Sequence, residues 1–304
     1  MNKEYPMRLI RSVVIVAVLS LAAAPVTARV AAKPQQFAVG AQYDTTHVYV
    51  APDDVDRLAT SFLATFGGKS SKQVVVTVTP TPSTTSSQLL ITPVGLVSLF
   101  GFKTPIPYPF GLERTGYLVT DMDAAVLAAK KAGASVIVST FPDPIGRDAV
   151  IQWPGGVNMQ IYWHTTAPSY PDLQFVPENR VYVAPDRADE FVRSFIRFSR
   201  GKVVSDDVKA PGIEIGRPAD TYRRVLIESV FGKMSVLVTD GHLPYPYGHE
   251  LTGYEVAAVG ETLIKAKAAG VTVLVEPYKV GRREAAIVQF PGGYVAEIHS
   301  SISK

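Results

Sequence analysis

The sequence predicts an α+β fold of four βαβββ units arranged as two copies, and three observations carry that prediction. The first is an internal repeat: residues 107–117 read PYPFGLERTGY and residues 244–254 read PYPYGHELTGY, agreeing at eight of eleven positions at an offset of 137. The second is that the repeat extends beyond this loop. The same offset lays Gln152-Trp153-Pro154-Gly155-Gly156 on Gln289-Phe290-Pro291-Gly292-Gly293, and Val48-Tyr49-Val50-Ala51-Pro52 meets Val181-Tyr182-Val183-Ala184-Pro185 at an offset of 133. A duplicated segment follows. The third is that each copy contains two successive runs of strand, amphipathic helix and further strands, with glycines closing the helices.

In the first unit, 46–50 reads as a strand, and Val55, Leu58, Ala59, Phe62, Leu63 and Phe66 then share one helical face that stops at Gly67-Gly68. Segments 73–78 and 89–102 supply its later strands. In the second unit, 116–119 is a strand and 123–132 a helix ended by Gly133. Strands at 135–139, 149–152 and 157–163 follow, the last two joined by Pro154-Gly155-Gly156. The third unit carries Ala188, Phe191, Val192, Phe195 and Ile196 on its helix; the fourth carries Leu263, Ile264 and Ala266, closed by Gly270. The first domain is therefore expected at 37–164, a linker containing Pro168 and Pro171 at 165–176, and the second domain at 177–304.

Composition narrows the function classes. The chain has 304 residues, 47% hydrophobic and 19% charged, enough for two domains with real cores. Its net charge of +3 is spread without a run of five like charges, which argues against a nucleic-acid partner. Cysteine is absent, so thiolate metal sites and cysteine nucleophiles are excluded. Lys3, Arg8 and Arg11 precede an apolar stretch at 13–24, then Pro25 and the small-residue sequence Val26-Thr27-Ala28. That is the layout of a signal peptide over 1–28, and it predicts a secreted or periplasmic protein with no membrane attachment after cleavage. The sequence has no Gly-rich phosphate loop, no Gly-x-Ser-x-Gly turn and no His-Glu-x-x-His.

The stretch Thr115-Gly116-Tyr117-Leu118-Val119-Thr120-Asp121, followed by Trp153-Pro154-Gly155-Gly156-Val157-Asn158-Met159-Gln160, resembles the vicinal oxygen chelate superfamily, which contains glyoxalase I, extradiol dioxygenases and bleomycin-resistance proteins. The resemblance covers essentially the whole mature chain. It implies that paired units curl into two glyoxalase-like incomplete β-barrels, each with a cup where catalytic relatives hold a divalent metal by His, Gln or Glu. The implied ligand places fall on His47, Arg114, Gln160 and the vicinity of Leu96 in the first copy, and on Arg180, Leu251, Glu297 and roughly Lys233 in the second. His47, Gln160 and Glu297 are the side chains there able to ligate. Neither copy has a full set, so the cofactor stays open and a divalent metal is disfavoured.

Strand alternation puts His299 on the face of Glu297, a carboxylate–imidazole pair suited to proton transfer next to a carbonyl; an Arg180–Glu297 ion pair is the rival reading. His47, Glu297 and His299 are thus the candidate catalytic groups. Tyr108, Phe110, Arg114, Gln160 and Trp163 are the candidate substrate contacts, with the first copy as the ligand-holding half. Glu113 and Glu250 are expected to pair with Arg147 and with Arg282 or Arg283, as loop-fixing salt bridges or as a clamp on a polar ligand. The implied function is an exported glyoxalase-like protein acting on a small organic molecule by lyase, isomerase or dioxygenase chemistry. The alternative is a non-catalytic small-molecule binding or sequestering protein of bleomycin-resistance type with degenerate metal sites.

Overall fold

The computed structural model describes Met1 and residues 36–302; apart from Met1, the expected export signal lies outside the described residues. The first unit contains β1 (Thr45–Val50), α1 (Val55–Phe66), two short strands β2 (Lys69–Ser70) and β3 (Val74–Val76), then β4 (Thr85–Thr92) and β5 (Gly95–Phe102). The second contains β6 (Thr115–Leu118), α2 (Met122–Ala132), β7 (Ser135–Pro142), β8 (Gly146–Gln152) and β9 (Asn158–His164). The third runs β10 (Glu178–Val183), α3 (Ala188–Ser199), β11 (Lys202–Pro211), β12 (Thr221–Ser229) and β13 (Gly232–Val238). The fourth runs β14 (Leu251–Glu255), α4 (Val259–Ala268), β15 (Thr272–Val280), β16 (Arg283–Gln289) and β17 (Val295–Ser301).

Local chemistry explains most of these boundaries. The Asp121 carboxylate accepts from the Ala124 amide at 3.0 Å and caps α2, which ends where Gly133 turns left-handed at φ 113°. The segment expected at 89–102 to supply later strands is the β4–β5 hairpin, which begins earlier, at Thr85. Pro93 has no amide to give a ladder, Gly95 supplies φ 149°, and the Thr92 hydroxyl donates to the Gly95 carbonyl at 2.7 Å, so the chain turns there.

Each copy forms one curled sheet. The first orders its strands β2-β4-β5-β1-β6-β9-β8-β7, with β3 also on β4, and the second β11-β12-β13-β10-β14-β17-β16-β15. Within a unit the first and last strands run parallel, with His47 opposite Ser98 and Gly116 opposite Gln160. The two units of a copy meet through short antiparallel contacts, β1 with β6 and β10 with β14.

The helices lie on the outer face of each sheet, and there the two copies bury each other. Helix α1 packs on α4, and α2 on α3. The resulting cores each draw on both copies. Phe62 of α1 is fully buried against Tyr254 at 5.3 Å and Phe290 at 5.1 Å, while Phe231 stacks on Tyr117 at 4.7 Å and on Phe198 at 5.5 Å. Removing a ring such as that of Phe62 would cost about 3–5 kcal/mol. Because the helix faces are spent on this contact, the concave faces are left to form two cups.

Candidate functional site

Period-two alternation decides which side chains enter the cups. On β1, Val48 and Val50 go to the shared core, leaving Thr45, His47 and Tyr49 on the concave face. On β9, Met159 and Ile161 are core residues, and Gln160, Tyr162 and His164 face the cup. Strand β8 sends Ala149 and Ile151 to the core and Asp148 to the cup. Ser98 and Phe100 of β5, Phe110 from the Pro-Tyr-Pro loop, and Tyr170 from the linker complete much of the wall. The cavity, partly open to solvent, is about 160 Å³. A void of about 150 Å³ holds benzene, so a single ring fits.

Three acids shape this cup. Asp148 is 5% exposed, and burial, reinforced by the neighbouring Asp143 charge, holds its carboxyl well above the usual range. Glu113 is fully buried behind the wall, where it accepts the Tyr49 hydroxyl and lies 3.6 Å from His47 Nδ1. Burial, then the Glu113 charge, pushes the Tyr49 phenol up. The His47 imidazole is 2% exposed, sits edge-on to Phe100 at 5.6 Å, and its Nδ1 has no hydrogen-bond partner; Glu113 Oε2 has none either.

The second cup is closed by its own charges. Arg180, 2% exposed, donates to Glu178 at 3.0 Å and places Nε 3.2 Å from Glu297 Oε2, a charge contact rather than an aligned hydrogen bond. Arg283 donates twice to Glu178, both at 3.1 Å, and once to Glu297, whose Oε1 is 3.3 Å from His299 Nδ1. Burial would raise both carboxyls, but the two guanidinium ions outweigh it, holding Glu178 at about 2 and Glu297 well below the ordinary range. A carboxylate held that strongly ionised is a poor proton acceptor. A turn at Gly212–Ile215 adds Glu214, bonded by Tyr222 at 3.0 Å and by Arg224, and Tyr247 packs on Leu251 and Ile287.

Among the expected site residues, the structure brings His47, Gln160 and Phe110 together around the first cavity, and Glu297 with His299 in the second cup. It leaves three others outside the cavity wall. Trp163 is three residues from Gln160, an odd step that turns it to the opposite face, where Arg147 lies 5.4 Å over its ring. Arg114 is turned out by the bend before β6: it donates to the Gly111 carbonyl at 3.0 Å and lies near Glu250, whose carboxyl burial pushes up to about 8 against the Arg114 charge. Glu113 takes the inward place. Tyr108 is 72% exposed on the loop. The expected Glu113–Arg147 bridge is replaced, since Arg147 pairs with Asp123 at 3.2 Å, and Arg283 goes to Glu178 and Glu297 rather than to Glu250.

Asp148, Tyr49 and Tyr170 escaped the sequence reading, which singles out Glu113 but with a different partner, Arg147. Asp148 had a signal, a lone acid entering the apolar run Ala149-Val150-Ile151 in step with the alternation. Tyr170 had none, because the linker's path is tertiary.

No family model matches the chain, and neither does any curated protein. Solved structures do match. A variant of 4-hydroxymandelate synthase from Streptomyces coelicolor aligns over 87% of this chain and 94% of its own, with TM-score 0.57 and 11% identity. The Mn(II)-bound glyoxalase from Novosphingobium aromaticivorans aligns over 88% and 84%, with TM-score 0.53 and 15% identity. The 2,3-dioxygenase LapB from Pseudomonas sp. KL28 aligns over 87% and 93%, with TM-score 0.51 and 12% identity.

The chain has the vicinal oxygen chelate fold. With that fold in hand, strand register corrects the implied metal positions. The residue opposite His47 is Ser98 rather than Leu96, and the one opposite Gln160 is Gly116 rather than Arg114. A Cβ on Gly116 would stand 2.6 Å from His47 Nε2, so the histidine occupies the space a ligand there would use. In the second vicinal oxygen chelate cup the corresponding pairs are Arg180 with Ser235 and Gly253 with Glu297. An imidazole, an amide, a hydroxyl and a hydrogen do not supply the three good donors a divalent ion requires, and a guanidinium in the second cup opposes one. Among the described residues no group of three His, Asp or Glu has metal-holding geometry. The donor set does not fit the metal of this fold.

Proposed function

We propose that this chain is an exported small-molecule binding protein whose working site is the cup of its first copy, the second copy serving as a structural partner. The asymmetry between the cups carries the reading: the first holds a cavity of about 160 Å³ lined by His47, Asp148 and Gln160, whereas Arg180, Glu178, Arg283 and Glu297 neutralise one another in the second. Export rests on the basic, apolar and small-residue succession over residues 1–28. The test is native mass spectrometry and calorimetry on the mature chain, which should hold a small organic molecule recoverable intact. Ser98→Trp, which fills the cavity from its half-buried wall, should abolish binding while leaving the circular dichroism spectrum unchanged. Undiminished binding in Ser98→Trp would refute the site. The intact mass of secreted protein should correspond to a chain starting at Arg29.

A second reading, proton-transfer catalysis, is favoured by one observation: a carboxyl held toward its protonated form, Asp148, shares the cavity with His47. A ligand recovered chemically changed, with that change lost in both His47→Ala and Asp148→Asn, would select it.

A further inference from the structure

The offset of 137 holds in the strand registers, so the cups can be compared place by place: Asp148 lies opposite Tyr162 where Ala285 lies opposite His299, and Gly146 lies opposite His164 where Arg283 lies opposite Ser301. Charge has been exchanged at these places. The second cup sets two carboxylates against two guanidinium ions, Arg180 and Arg283. In the first, His47 stands where Arg180 would, Gly146 stands where Arg283 would, and Asp148 and Asp143 are added at places held by Ala285 and Val280.

No Lys or Arg among the described residues lines the first cavity. The Arg114 and Arg147 guanidinium groups are engaged elsewhere, Arg114 with the Gly111 carbonyl and Arg147 with Asp123 and the outer face of Trp163. Glu113 adds a third carboxyl directly behind His47. The His47 side chain is 3% exposed and Asp148 is 5% exposed, so the floor of the cup is polar and shielded, with Asp143 on the exposed loop beside it. The rest of the wall is aromatic, with Phe100 and Phe110 presenting ring surface that suits both an apolar body and a cation.

We propose that the first cup takes a small protonated amine, its ammonium end at Asp148 and Asp143 and its apolar body against Phe100 and Phe110. This deepens the small-molecule reading above and rests on it. An ammonium can donate to both carboxyls and by its charge draws Asp148 back toward the ionised form that burial disfavours, whereas a carboxylate of the same size would meet two acids, with the Glu113 carboxyl behind them, and no Lys or Arg in the wall.

The experiment titrates the mature chain with three probes of matched size, benzylammonium, benzyl alcohol and benzoate, by calorimetry at neutral pH. Benzylammonium should bind at least about tenfold more tightly than benzoate, with benzyl alcohol between them. Asp148→Asn should erase most of that preference. Asp143→Asn, on an exposed loop where the amide oxygen can still accept from the Ile145 amide, should reduce it and serves if Asp148→Asn does not fold. Benzoate binding as tightly as benzylammonium, or a preference surviving in both folded variants, overturns the charge assignment and leaves the cavity reading standing. Failure of all three probes to saturate overturns both.

Discussion

Replacing Glu297 by glutamine tests whether the second cup is a self-neutralised structural core. Glu297 is 1% exposed and faces Arg180, Arg283 and His299. Glutamine keeps the shape but removes one of the two carboxylates that balance the buried Arg180 and half-buried Arg283 guanidinium ions. Breaking a buried ion pair from one side costs about 3–5 kcal/mol, because the remaining charge is left without its counterion. Arg180 still has Glu178 at 3.0 Å, which places the expected loss at the lower end, about 3 kcal/mol. The double variant Arg180→Met with Glu297→Met removes one charge of each sign and leaves the two hydrogen bonds between Arg283 and Glu178 intact. It should therefore be less destabilised than the sum of its single variants, with a coupling of about 2 kcal/mol or more. Urea unfolding at pH 7.5 gives all four corners of the cycle. A loss below about 1 kcal/mol in Glu297→Gln, or strict additivity in the double variant, would refute the picture of a charge-balanced plug.

The same network predicts acid sensitivity. Glu178 and Glu297 have folded pKa values depressed below the ordinary 4.5, so their stabilisation is complete above that pH and is lost as the pH falls toward about 2, which an acid titration followed by tryptophan fluorescence should show. In Arg283→Met that acid transition should move to higher pH. Residues 37–164 expressed alone should fail to fold cooperatively and should bind a hydrophobic dye, since both cores draw their aromatic packing from the other copy. Gly116→Ala should cost about 1–3 kcal/mol and displace the His47 ring, visible as a shifted imidazole resonance, because its Cβ would stand 2.6 Å from His47 Nε2; an unmoved resonance would contradict the placement.

Much of the architecture could be read from the chain. The duplication at offsets of 137 and 133 and the helix faces through Phe62 and Phe195 follow from repeats and side-chain periodicity, which are local and act wherever the segments end up; the cup-facing places of His47, Gln160 and Glu297 come from the family resemblance, and alternation then adds His299 beside Glu297. Periodicity applied strictly would also have turned Trp163 outward and Asp148 inward.

The rest needed the tertiary structure. Arg114 and Glu113 are neighbours in sequence, and only the bend before β6 sends the carboxylate in and the guanidinium toward Glu250. The pairing of α1 with α4 and of α2 with α3 makes the two copies share their cores. Arg283 reaches Glu178 across 105 positions of sequence, and such contacts depend on how sheets curl and meet. The sequence by itself determined the repeated units and the faces of their strands, because these depend on spacing along one segment. Only the tertiary structure decided which cup stayed open and which acids face it, because charge balance in a buried space depends on every chain segment that closes it.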